Sequence, residues 1–87
     1  MQVTLRRIEA HLNIRRWYFV SIQPALFDKI AVICGWGRLN GKYARWRVIP
    51  AGSQQQADEI AWNIIEKRLQ HGYKIVGSAN EIQIRDC

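Results

Sequence analysis

The 87-residue sequence lacks any apolar run near the ~20 residues that a membrane span needs. Its first thirteen residues carry Arg6, Arg7 and Glu9 instead of the apolar core of a secretory signal. The expected setting is the reducing cytoplasm, away from the membrane. Cysteine is scarce. Cys34 and Cys87 are too few for a disulfide framework; Cys34 is expected as a buried core thiol and Cys87 as an accessible terminal one. With His11 and His71 they make four candidate metal ligands, but no pair stands at ligand spacing, so neither a metal nor another cofactor is expected. A Ser/His/Asp or Cys/His set, a carboxylate pair suited to acid–base work and a phosphate-cradling glycine loop are all missing. These absences argue against an enzyme acting on a small-molecule substrate. Acids are also few, with seven Asp and Glu against thirteen Lys and Arg for a formal net charge of +6.

What is present suits one small globular domain. Hydrophobic residues make up 48% of the chain, and four Trp, three Tyr and two Phe supply large rings to a short sequence. Val3 to Ala10 reads as a strand whose apolar parity switches at Arg6-Arg7, which suggests a bulge. Leu12 to Arg16 reads as a polar connection. Arg16 to Gln23 is a stronger strand, with Tyr18, Val20 and Ile22 on one face and Trp17, Phe19 and Ser21 on the other. After the Pro24-Ala25-Leu26-Phe27-Asp28 loop, the run Ile30 to Cys34 is apolar on both parities and reads as a central strand.

Gly35, Gly37, Asn40 and Gly41 mark a turn region. Tyr43 to Ile49 then alternates, with Tyr43, Arg45 and Arg47 on one face and Ala44, Trp46 and Val48 on the other, expected buried, face. Ser53 with Gln56 forms a capping-box pair. It opens a helix with Asp58 and Glu59 in its first turn and Lys67, Arg68 and His71 in its last, closed by Gly72. Ala57, Ile60, Ala61 and Ile64 form the inward stripe, widened by Ile65 and Leu69, with Trp62 at the border of the core. Tyr73 to Val76 reads as a short last strand, and residues 77–87 as a tail, either an edge strand through Ile82 and Ile84 or disordered. The expected class is α+β: one domain over residues 1–76, an antiparallel sheet of four to five strands with one α-helix packed across one face.

The charge is unevenly placed. Residues 1–50 carry a net +7 and residues 51–87 a net −1, and arginine outnumbers lysine nine to four. Such clustering is an electrostatic footprint for a polyanion, and arginine suits forked contact with phosphate. Solubility charge alone explains it equally well.

Trp36-Gly37-Arg38, at the end of the central strand and the start of the turn region, resembles the signature of the WGR domain family. The strand from Trp17 to Gln23, the Pro24 loop, the Gly41-Lys42 turn, the Ser53-capped helix and Gly72-Tyr73 follow in that family's order, most like its short, stand-alone bacterial members. The resemblance spans residues 3–76. It implies an antiparallel sheet with one helix and a role in binding nucleic acid, DNA more than RNA. In poly(ADP-ribose) polymerases the related domain engages DNA strand breaks; its Trp packs against a sugar and its Arg helps hold DNA and neighbouring domains. By resemblance, Trp36 would stack on the nucleic acid, Arg38 would contact phosphate or another domain, and Gly37 would keep the backbone compact between them. No transferase domain or zinc finger is present in these residues, so the polymerases' signalling role does not carry over.

Lys42, Arg45 and Arg47 follow within two turns of chain and join Trp36, Gly37 and Arg38 as candidate nucleic-acid contacts. Each also has a plainer reading. Trp36 can close the core, Gly37 can serve the turn, Arg38 can pair with Glu9 or Asp28, and Arg45 and Arg47 can line a solvated face. Trp17 and Phe19 form an exposed aromatic patch if their face is uncovered, which would mark a protein partner or a homodimer surface.

Overall fold

The computed structural model describes residues 1–24 and 30–79. Five strands and one helix follow in order: β1 (Gln2–Glu9), β2 (Ile14–Gln23), β3 (Ile30–Arg38), β4 (Ala44–Ala51), α1 (Gln54–Gln70) and β5 (Lys74–Ala79). They form one antiparallel sheet in the order β4-β3-β2-β1-β5, with α1 packed across one face, the α+β architecture expected.

A short 3-10 turn, Ala10–Leu12, joins β1 to β2. It closes at Asn13, which takes the left-handed conformation (φ 56) that asparagine tolerates better than most residues. β1 and β2 pair without interruption from Gln2↔Ser21 to Glu9↔Ile14. The bulge expected at Arg6-Arg7 is therefore absent from that ladder; the irregularity lies between Thr4 and Leu5, where β1 pairs with β5. The parity switch has a simpler cause, because Ile8 is exposed on the sheet face away from the helix.

Ser53 caps α1 by accepting the Gln56 amide (3.2 Å), while the Gln56 side chain accepts the Gly52 amide (2.8 Å), a reciprocal pair displaced by one residue from the usual box. Asp58 and Glu59 fall in the second turn, not the first. At the other end Tyr73 N–H bonds the Arg68 carbonyl and Gly72 N–H bonds that of Leu69, a Schellman closure that needs the positive φ of Gly72 (+90).

Ala57, Ala61 and Ile65 are the buried residues of α1, whereas Leu69 and Trp62 are exposed. Small alanines let the helix approach the sheet closely. It meets Val3 and Leu5 of β1, Tyr18, Val20 and Ile22 of β2, and Val32 and Cys34 of β3 in a single core. Cys34 is a buried free thiol, as expected, and Cys87 and the tail beyond Ala79 lie outside the described residues. No described helix is long and apolar enough to cross a membrane.

Trp46 and Val48 depart from expectation. Their parity was expected to be buried, yet they are exposed on the face away from α1 (59% and 60%), and the helix side of β4 carries Arg45, Arg47 and Ile49. The alternation was correct and its polarity inverted. β4 is an edge strand beyond the reach of much of the helix, so its apolar parity is not compelled to be the covered one.

Candidate nucleic-acid interface

The tripeptide Trp36-Gly37-Arg38 belongs to β3 and is not a turn. Trp17 pairs with Gly37, Tyr18 with Trp36 and Arg16 with Arg38. Strand alternation therefore sends Trp36 and Arg38 to the helix side and Gly37 to the other. The turn follows, with Asn40 at φ 63 and the Gly41 amide bonded to the Arg38 carbonyl.

α1 enters after Ala51, at the Ile30 end of β3, and leaves at Gly72, beside Arg7 of β1. It thus crosses the sheet diagonally and leaves one corner of the helix side open. That corner is a cleft of about 820 Å³. Trp36, half-buried, stacks on Tyr18 with centroids 5.7 Å apart and planes 10° apart, and the Tyr73 ring meets Tyr18 edge-on.

Seven cations line the cleft (Arg16, Arg38, Lys42, Arg45, Arg47, Lys67 and Arg68), and among the described residues no carboxylate does. Arg16 lies opposite Arg38 across β2 and β3, and like charges so placed repel. Among the described residues the one ion pair is Arg7–Glu9 (2.7 Å), so none of the seven is neutralised there; Glu9 pairs with Arg7 and not with Arg38. Asp28, the other partner considered for Arg38, lies outside the described residues.

Arg68 carries further information. Its guanidinium lies over the Tyr18 ring, and its Nε is buried without a hydrogen-bond acceptor among the described residues. A buried donor left in this way favours an acceptor arriving from outside. Tyr18 and Cys34 add no negative charge near neutral pH. Burial, with the neighbouring thiol, pushes the Tyr18 phenol up against the opposing pull of Arg68 and Arg47, and burial pushes the Cys34 thiol up. The cleft is thus cationic and partly aromatic, with the chemistry to hold a chain of phosphates beside a ring or sugar.

All six candidate contacts line this cleft, Trp36, Arg38, Lys42, Arg45 and Arg47 with side chains and Gly37 with backbone alone. Gly37 does its work on the opposite face. A Cβ there would stand 2.9 Å from the Tyr43 carbonyl oxygen and 3.1 Å from Trp17 Nε1, so the missing side chain seats the Trp17 indole. Three residues escaped the sequence reading. Arg16 shares the parity of Tyr18, a signal that was available. The spacing of Lys67 and Arg68 in the sequence marks them only as complements to the helix dipole. Trp17 and Phe19 lie on the face away from α1, half-buried, where both contact Trp46. No group of three or more potential metal ligands occurs among the described residues.

The family model for the WGR domain matches residues 1–80. Over 70 residues the chain is 27% identical to the uncharacterized protein y4dW of Sinorhizobium fredii (strain NBRC 101917 / NGR234), a match covering 80% of this chain and 34% of that protein, so the chain spans about a third of its relative's length. No solved structure matches.

Proposed function

Because the chain belongs to the WGR domain family, generally linked to nucleic-acid binding, we propose that it is a non-catalytic module that grips the sugar-phosphate backbone of DNA, or a DNA end, in the cleft beside Trp36. The observation carrying this reading is the set of seven cations, without a carboxylate, around a half-buried indole. Arg38, Lys42, Arg45 and Arg47 take phosphates, Lys67 and Arg68 close the site from the helix, and Trp36 offers an apolar edge to a base or sugar. Recognition is of shape and charge. The outer face of the helix carries Asp58, Glu59 and Glu66, which does not suit it to lie in a groove and read base edges.

The test is a fluorescence-anisotropy titration of a short DNA duplex carrying a 5′-phosphate, repeated from about 50 to about 200 mM salt. If four phosphates are neutralised, log K falls against log salt with a slope of roughly −3.6, whatever the sequence of the duplex. Binding that ignores salt, or no binding at about 50 mM, contradicts the proposal.

A further inference from the structure

The sheet face away from the helix holds a second, smaller hollow of about 350 Å³, lined by Thr4, Arg6, Trp17, Phe19, Leu39 and Trp46. Its construction is specific. Trp46 lies over Gly35, where a Cβ would collide with Cζ3 and Cε3 of the indole, and Trp17 lies over Gly37. Two glycines of β3 thus seat two indoles, with Phe19 edge-on against Trp46 (6.1 Å between centroids). The result is an aromatic pocket at the small end of the roughly 300–1,000 Å³ of ligand sites, with Arg6 as its one charged wall among the described residues. Trp and Arg in a desolvated hollow are the residue types that dominate binding hot spots.

The outer face of α1 carries a complementary feature. Trp62 is 52% exposed, with Leu69 exposed two helical turns along. Asp58, Glu59 and Glu66 lie three or four residues from Trp62, so all share its side of the helix. None of these carboxylates makes an ion pair among the described residues, and neither does Arg6. One end of the molecule therefore shows an apolar knob set in negative charge, and the opposite side an apolar socket beside a positive one.

We propose that the socket receives Trp62 of a second copy of this chain, with Glu59 or Glu66 of that copy meeting Arg6. A symmetric pairing of two sockets fits poorly, because it would bring Arg6 towards Arg6 with no carboxylate in the lining of either pocket. The contact is heterologous, joining the helix of one copy to the sheet of the next, and such contacts build rings or open filaments rather than closed two-fold dimers. It uses neither Trp36 nor any cation of the cleft and shares only Trp17 with the cleft's lining, so it does not rest on the DNA-binding reading.

The experiment uses the whole chain without nucleic acid. Sedimentation of the wild type from about 10 µM to about 1 mM gives a mass that rises with concentration. Trp62→Ala removes the knob and Arg6→Glu spoils the socket. Both positions are exposed, and circular dichroism checks that each variant stays folded. Each variant alone remains a monomer, but an equimolar mixture forms a one-to-one dimer, because the Trp62→Ala socket takes the Arg6→Glu knob. In that mixture the Trp17 and Trp46 indole resonances of the Trp62→Ala partner shift. A constant monomer mass for the wild type, self-association surviving in either variant, or a mixture that stays monomeric overturns the proposal.

Discussion

The guanidinium carbon of Arg68 lies 4.7 Å from the centroid of the Tyr18 ring, which fastens the last turn of the helix to β2 and directs a cation into the cleft. This contact converts a strand face into a two-walled site. Tyr18 also stacks on Trp36, so one phenol organises both the stacking surface and the far wall.

Arg68→Gln is expected to weaken duplex binding about tenfold or more, since a hydrogen bond to a charged group is worth about 1.5–3 kcal/mol. Arg68→Lys keeps the charge and the salt slope but loses affinity, because a point charge replaces a planar fork. Anisotropy titrations at several salt concentrations separate the two effects. Equal affinity for wild type and Arg68→Gln would remove the helix from the site.

Trp36→Ala should cost about 1–3 kcal/mol of binding, roughly 5- to 150-fold, and Trp36→Phe appreciably less. The Arg47→Gln change should behave differently, lowering affinity for every duplex sequence alike and reducing the salt slope by about 0.9. If Trp36→Ala lowers the melting temperature but leaves affinity untouched, the indole serves packing alone.

Gly37→Ala and Gly35→Ala place a methyl group against Tyr43 and Trp17 in one case and against Trp46 in the other. Each is expected to destabilise by about 1–3 kcal/mol, as overpacking generally does. Gly37→Ala should cost more, because its nearest neighbour is backbone whereas Trp46 is an exposed side chain able to swing away. Urea unfolding midpoints test the order.

Stability should hold to about pH 9 and fall above it. The Cys34 thiol is raised from its ordinary 9.0 and the Tyr18 phenol from its ordinary 10.0, both chiefly by burial. A group whose folded value is raised contributes stability that is complete below its unfolded value and is lost as pH rises through the folded one. Cys34→Ala should flatten the alkaline decline and leave the Tyr18 part. Urea midpoints for both proteins between about pH 7 and about pH 11 provide the comparison.

Much of the sheet was legible because strand alternation is strict. Tyr18, Val20 and Ile22 on one side and Trp17 and Phe19 on the other follow from spacing alone, and Ser53, Gln56 and Gly72 mark the helix ends by their own chemistry. The side of an edge strand that faces the helix is a different matter. Arg45/Arg47 and Trp46/Val48 form two equally good stripes, and only the diagonal course of α1 decides between them. Lys67 and Arg68 were hidden for the same reason, since they join the arginines of β3 and β4 through tertiary packing that no local spacing encodes. The Trp-Gly-Arg segment looked like a turn because glycines usually mark one. Here Gly35 and Gly37 stay within the strand, each beneath an indole.

The most direct test is chemical-shift mapping of the labelled chain during titration with a short 5′-phosphorylated DNA duplex. The expected result is a contiguous set of shifts at the Trp36 indole, Arg38, Lys42, Arg45, Arg47 and the Lys67–Arg68 turn, while the Trp46 indole on the opposite face stays still. Shifts centred on Trp17 and Trp46 instead, or none at about 50 mM salt, would contradict the assignment of the cleft as the DNA site.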